Sequence, residues 1–488
     1  MPPLPGLWAD RVRRNREVAI PRLLERLDHH GVIDNFRPEV ERRGFWFTDS
    51  DLYKWMEAAA WAGDVAELES VVDIVLEAQD HDGYLNTNFG RDGQIPRWHD
   101  LSWSHELYCA GHFMQAAVAR RRVQGRDDLL DAAERFADCI ARELPSEVRD
   151  RHPVIEMALV ELSRATGNAR HLDLAIDLAD RVPWGDWARL EGHAVCALYF
   201  ASGLTDLAIE TGDRRRRAAV ERWYDAMLGE SVYLTGAVGG RWVAEAVGEP
   251  YELPQSRSYT EACAAVAAIQ WHERMHHLTG DPRALEWRSI TLENALAVAV
   301  SDAGDEWFYA TPHATSCSSE LHPWIGDRLP AEIAGPVPLR RAPWRDVTCC
   351  PPNVTRLLAA LAHSELQLAP DDGTATSEWV EANHRVESLR GAVALVRGPI
   401  VYCFEAIDQP PGVDVRDIAV DVNAPIDAFE LDGVDGPALR VRGYELQADA
   451  LYRPTTRGRA REFVAIPFRC FARRGETPMV MWVNRFSE

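Results

Sequence analysis

Met275-His276-His277-Leu278-Thr279-Gly280-Asp281-Pro282-Arg283-Ala284-Leu285 reads as the end of one helix and the start of the next. Gly takes the left-handed position that closes a helix, Asp caps its successor, and Pro282 occupies the first helical position, where its missing N–H costs nothing. The same punctuation returns at Gly63-Asp64, Gly125-Arg126-Asp127, Gly167-Asn168 and Gly212-Asp213. The flanking runs carry helical periodicity. Leu52, Trp55, Met56, Ala59 and Ala60 form one apolar stripe, and Leu107, Cys109, Ala110, Met114 and Ala117 another. About twelve helices are expected between residues 18 and 368, among them 192–210, 259–278 and 354–368. Helix pairs with no strand between them point to an all-α barrel or to an open helical superhelix, and periodicity does not separate the two.

Beyond residue 368 the texture changes. Pro370-Asp371-Asp372-Gly373 reads as a linker, followed by β-branched or alternating runs at 393–404, 418–422, 439–441, 463–466 and 480–483. Short strands separated by Gly, Pro and Asp suggest a β-sandwich. The expected division is therefore 1–368 helical and 369–488 sheet, since a chain of 488 residues exceeds one ordinary core.

Basic residues number 53 against 76 acidic, a net charge of −23 that repels nucleic acid and anionic lipid. No stretch reaches the ~20 apolar residues of a membrane span. Nine scattered cysteines without a secretory leader suggest reduced thiols and a cytoplasmic protein.

Two adjacent cysteines open Cys349-Cys350-Pro351-Pro352-Asn353. With Glu261 and Cys263 they offer three sulfurs and a carboxylate, a donor set that suits Zn2+. Asn353 is expected to cap the helix carrying Leu357, Leu358 and Leu361, and Thr260 the helix that follows it. A thiol beside a helix N-terminus is acidified by the dipole, so the cysteines can be ligands or nucleophiles; they can equally be a packed pair. Two positions apart on a helix face nearly opposite ways, so Glu261 and Cys263 share an ion only from an irregular first turn; otherwise Glu261 merely stabilises a helix start. Glu245 is a candidate proton donor or a solvated loop carboxylate. His105, His152 and His193 recur at helix starts, where a closed ring brings them to one mouth, although each alone suits a structural role. Trp46, Trp55, Trp98 and Trp103 are candidate sugar-stacking faces or core.

An ordered set of segments runs along nearly the whole chain: Asp49-Ser50-Asp51-Leu52-Tyr53-Lys54-Trp55, Asp82-Gly83-Tyr84-Leu85, Ser104-His105-Glu106-Leu107-Tyr108 with Gly111-His112, and His152-Pro153-Val154-Ile155-Glu156. It continues through Gly192-His193-Ala194-Val195, Tyr233-Leu234-Thr235-Gly236-Ala237, Tyr259-Thr260-Glu261-Ala262-Cys263, Cys349-Cys350-Pro351-Pro352-Asn353 and Arg397-Gly398-Pro399-Ile400-Val401-Tyr402. Together these resemble glycoside hydrolase families 127 and 146, the β-L-arabinofuranosidase group. The resemblance implies an (α/α)6 barrel with a C-terminal β-sandwich and a retaining hydrolase acting on a small carbohydrate. It further implies Cys349 as nucleophile, Glu245 as acid/base, Zn2+ held by Glu261, Cys263, Cys349 and Cys350, and a sugar site lined by His105, His152, His193 and Tyr309.

The chain departs from the family pattern at Arg345-Asp346-Val347-Thr348 and in a shortened region around 370–378, where a second β-sandwich is missing. That shortening leaves homo-oligomerisation open. Activity on another rare sugar, and a non-catalytic sugar-binding barrel with a structural zinc, stand as alternatives.

Overall fold

The computed structural model describes residues 6–315, 341–364, 375–447 and 450–486. Helices α1 (Gly6–Arg14) and α2 (Ile20–His29) come first, joined by a π-helical turn. Five hairpins follow: α3 (Asp49–Ala62) with α4 (Glu67–Glu77), α5 (Glu106–Gln124) with α6 (Asp128–Glu143), α7 (Ile155–Thr166) with α8 (Ala169–Asp180), α9 (Ala194–Thr211) with α10 (Arg214–Ala226), and α11 (Ala262–Thr279) with α12 (Pro282–Thr291). A short α13 (Ala297–Ala299) and then α14 (Cys350–Leu361) complete the helical part.

Helix α3 packs on α5, α5 on α7, α7 on α9, α9 on α11, α11 on α14, and α14 returns to α3. That closure excludes the open superhelix. It also changes the expected stripes, because the inner helices are buried all round rather than on one face. In α3 every residue from Asp49 to Ala60 is buried, Asp51, Lys54 and Glu57 included. One side of such a helix meets its outer partner and the other faces the interior of the ring. Helix α9 is long and apolar enough to cross a membrane by length and composition, and 78% of it is buried inside the ring.

The five glycines each end an inner helix with positive φ: Gly63, Gly125, Gly167, Gly212 and Gly280. Asn168, Asp213 and Asp281 cap the following helices by accepting from backbone N–H groups two residues on. Asp127 makes no such bond, and Asp64 lies outside α4 and pairs with Arg16. Helix α14 starts earlier than expected, at Cys350, so Asn353 sits inside it, where Tyr199 and Arg356 engage its side chain. Residues 365–368 of the expected helix, the 370–373 linker and the 368/369 boundary lie outside the described residues.

Strands β1 (Ala314–Thr315), β2 (Ser377–Glu381), β3 (Ala392–Arg397), β4 (Ile400–Glu405), β5 (Ile418–Val420), β6 (Asp427–Phe429), β7 (Ala438–Gln447), β8 (Thr456–Pro467), β9 (Met479–Val480) and β10 (Trp482–Arg485) belong to one sheet. Instead of two separate sandwich layers, the pairings β4–β8–β7–β5–β10–β3–β4 close a circuit. The cause is β4, buried throughout, which pairs with β3 at Ile400 and Val401, β8 at Tyr402 and Cys403, and β9 at Phe404 and Glu405.

The sheet is sealed against the ring. Val298 and Phe308 join a core with Ile466, Phe468 and Phe471. Asn294 donates to Pro399 O at 2.7 Å and accepts from Val401 N at 2.8 Å.

Candidate active site

Hairpins that alternate inner and outer helices bring the N-termini of all inner helices to one end of the ring. Each supplies a residue of interest. His105 is the N-cap of α5, His152 precedes α7, and His193 caps α9 by accepting from Val195 N. Glu261 is the N-cap of α11, Cys349 that of α14, and Asp51 and Lys54 lie in the first turns of α3. The positive helix ends of α11 and α14 favour anionic groups there.

Glu261, Cys263, Cys349 and Cys350 offer ligand atoms that all lie within 4.8 Å of one another. Cys263 and Cys350 Sγ are 3.3 Å apart, Cys350 Sγ is 3.3 Å from Glu261 Oε1, and Cys349 Sγ is 3.6 Å from the same oxygen. The spacing problem of Glu261 and Cys263 is solved by the backbone. Glu261 is extended (ψ 142°) and only Cys263 is helical, so both side chains reach one point. Thr260 does not cap, because φ +28° turns its hydroxyl to Thr311 O.

The donor chemistry fits a thiophilic cation such as zinc. Without a cation the four groups resist ionising together. Burial, then Cys349 and Glu245, pushes the Glu261 carboxyl up to about 8. Hydrogen bonding with Cys263 leads the causes that push Cys349 up to about 12. Burial raises Cys263 too, but bonds from Cys349 and Cys350 outweigh it and bring that thiol down to about 6. Cys263 and Cys350 are buried, whereas Cys349 is partly exposed.

Glu245 stands beside this cluster. Its Oε2 is 2.6 Å from His193 Nε2, and its Oε1 accepts from the Tyr259 hydroxyl and, at 3.4 Å, from that of Tyr309. The Tyr259 hydroxyl also lies 3.3 Å from Glu261 Oε2, so one phenol spans both carboxylates. Burial pushes Glu245 up, but the His193 bond and charge and the two phenols offset it and hold the carboxyl low. Burial lowers His193, yet Cys196 and Glu245 carry it well above the ordinary imidazole range.

His105 and His152 stack at 3.4 Å between ring centroids. Burial takes His105 down to about 4 and His152 down to about 2, so both are neutral at pH 7 and can donate or accept at a sugar hydroxyl.

The structure thus gathers the four expected ligand residues into one cluster. It puts Glu245, His193 and Tyr309 in contact beside that cluster, and the His105–His152 stack where His193 and Glu245 act on it electrostatically. Sequence reading missed Tyr259, although it stands two residues before Glu261, and Lys54. The Lys54 ammonium is fully buried, 3.7 Å from Asp51 Oδ1 and 4.9 Å over the Tyr108 ring. Burial opposes its charge, while Asp51, Cys263 and Cys349 favour it, with a net upward shift. The only sequence signal for both lay in the quoted segments that contain them.

Residues 4–363 match the family described as Beta-L-arabinofuranosidase, GH127 catalytic domain, and residues 377–484 match the Glycoside hydrolase family 127 C-terminal domain. A non-reducing end beta-L-arabinofuranosidase of Bifidobacterium longum subsp. longum is 26% identical, over 91% of this chain and 88% of that protein. Among solved structures, a GH127 beta-L-arabinofuranosidase from Geobacillus stearothermophilus T6 superposes with a TM-score of 0.89 at 25% identity, covering 99% of each chain. A second GH127 beta-arabinofuranosidase shares the fold, with a TM-score of 0.86 at 24% identity over 99% of this chain and 96% of that one.

Proposed function

The chain belongs to glycoside hydrolase family 127, and we propose that it releases β-L-arabinofuranose from the non-reducing end of its substrate, with retention, through Cys349 and Glu245. The observation that carries the reading is the exposure difference within the cysteine cluster. Among its three thiols only Cys349 is reachable, and Glu245 lies beside the cluster, joined to it through Tyr259 and Glu261. A cluster serving as a purely structural metal site has no need of an accessible ligand or of an adjacent proton donor.

The closed ring of inner helices supports reading residues 1–368 as an (α/α)6 barrel and 369–488 as its sheet domain. Glu261, Cys263, Cys349 and Cys350 would hold the zinc. Bound there, zinc would keep the thiols deprotonated at neutral pH.

Cys349 Sγ attacks the anomeric carbon; the C–S bond forms as the C–O bond to the leaving group breaks, and Glu245 passes to the departing oxygen the proton it shares with His193. Water then attacks the same carbon and gives its proton to Glu245, and the sulfur leaves as thiolate. Two inversions at one carbon retain configuration, the logic of two-carboxylate glycosidases with sulfur in place of one carboxylate. His193 hydrogen-bonds Glu245 and holds the proton with it, while the neutral His105, His152 and the Tyr309 hydroxyl face the sugar.

The test is trapping with an activated arabinofuranoside inactivator followed by peptide mass spectrometry, paired with Glu245→Gln on aryl arabinofuranosides. The adduct is expected on Cys349. Glu245→Gln should slow poor leaving groups about 10²–10⁴-fold and good ones far less. An adduct on any other side chain, or equal slowing of both classes, overturns the assignment.

A further inference from the structure

A buried carboxylate outside the reacting cluster gathers the segment that leads into a sugar-facing histidine. Glu106 opens α5 directly after His105. The Tyr84 hydroxyl donates to its Oε1 at 2.6 Å, the Trp98 N–H lies 3.0 and 3.1 Å from its two oxygens, and the Ser104 hydroxyl donates to Oε2 at 2.8 Å. Trp98 and Ser104 are the two ends of segment 98–104, so one side chain ties both. Tyr84 is anchored in turn, with its ring edge-on to Trp98 at 5.2 Å and under the Arg97 guanidinium at 4.0 Å.

The backbone records what the tie holds in place. Trp98 has φ +60° and His105 φ +56°, left-handed conformations that residues other than glycine avoid. Such conformations persist where the surroundings impose them. Here the residues on either side of His105 are bonded to each other through their side chains, and the chain between them turns sharply. The same segment supplies Trp103 O, 2.5 Å from His105 Nδ1, and Trp46 Nε1 lies 3.0 Å from that nitrogen. The ring so held stacks on His152.

We propose that Glu106 is a positioning residue for the hydrolysis: by tying both ends of segment 98–104 to the start of α5, it fixes where the His105 ring meets the sugar. The inference rests on the reading above that His105 faces the sugar, and adds to it a residue that acts only through that ring.

The experiment is a double-mutant cycle, with kcat and KM measured on an aryl β-L-arabinofuranoside. Glu106→Ala removes every acceptor of the tie. In the wild-type background it is expected to lower kcat/KM about 10- to 100-fold, chiefly through KM, because a binding group is displaced. In a His105→Ala background the same change should cost almost nothing further, since the ring it positions is gone. Glu106→Gln should recover most of the loss. Its amide oxygen still accepts from Tyr84 and Trp98, and the Ser104 hydroxyl can turn to accept from the amide nitrogen. Circular dichroism reports whether each variant folds. Ser104→Ala, which cuts the tie at one end, takes the place of Glu106→Ala if that variant does not fold, with the same dependence on His105 expected. Equal losses in the two backgrounds would mark a merely structural carboxylate and overturn the proposal, as would an unchanged kcat/KM after Glu106→Ala or after His105→Ala. Wild-type protein that leaves arabinofuranosides intact, yet cleaves another glycoside, brings down the arabinofuranosidase reading instead, and the same cycle run on that glycoside decides the role of Glu106.

Discussion

Burial and the neighbouring Asp150 push the Glu156 carboxyl up to about 8, and its Oε2 has no hydrogen-bond partner among the described residues. Its ordinary value is 4.5, so the folded chain binds a proton there that the unfolded chain has lost between those two pH values. A raised carboxyl contributes fully below the unfolded value, and its contribution is lost as pH rises through the folded one. Glu156→Gln, neutral at every pH, removes that slope. Each pH unit crossed between the unfolded and folded values is worth ~1.4 kcal/mol, so the stability of the variant relative to wild type should rise by roughly 3 kcal/mol from pH 5 to pH 8. Urea unfolding of both proteins at the two pH values measures it, and parallel curves would show that Glu156 is ionised in the fold. Residues of this kind were named in the sequence only as motif members. Burial and the company of Asp150 are tertiary facts that no local pattern encodes. Glu261 and Cys263 are the converse. Their residue types announced a metal pair, while their spacing argued against it until one extended residue at the helix start reconciled the two.

Helix ends were the most legible elements, because a left-handed Gly followed by Asp or Asn is a local solution to a local need. Every such Gly closes an inner helix. Caps were less legible, because side chains that could cap were claimed by other partners: Asn353 by Tyr199 and Arg356, Thr260 by Thr311 O, Asp64 by Arg16. Asp213 does cap, accepting from Arg215 N at 2.7 Å and Arg216 N at 3.3 Å. Asp213→Ala should thus cost ~1–2 kcal/mol, whereas Asp64→Ala, which removes only an exposed ion pair, should stay within ~0.5 kcal/mol. Denaturation followed by far-UV circular dichroism distinguishes them, and equal losses would mean that the cap bond contributes nothing beyond the charge.

At the scale of the whole molecule, the two helices that present the cysteine cluster are the ones that complete the ring. Helix α11 brings Glu261 and Cys263, α14 brings Cys349 and Cys350, and α14 closes on α3. A cation held between them would tie the last inner helix to its neighbour and relieve the resistance of these four clustered groups to ionising together. Ring closure was not readable from periodicity, since successive helix pairs serve a superhelix equally well; it depends on α14 reaching α3 across most of the chain. Binding to the folded state alone stabilises by RT ln(1 + [L]/Kd), ~2.7 kcal/mol at a hundredfold excess over Kd. Protein purified with zinc should therefore contain about one zinc per chain, given one cluster of four ligands among the described residues, and should lose several degrees of Tm when a strong chelator strips it. Zinc should restore that loss, and magnesium should not, because the thiolates select the softer ion. Cys263→Ser, which takes one thiol ligand from the cluster, should melt near the stripped value with or without zinc. A wild-type Tm indifferent to the chelator, with no zinc found by elemental analysis, would separate the cluster from metal binding and leave the acidity of Cys349 without its source.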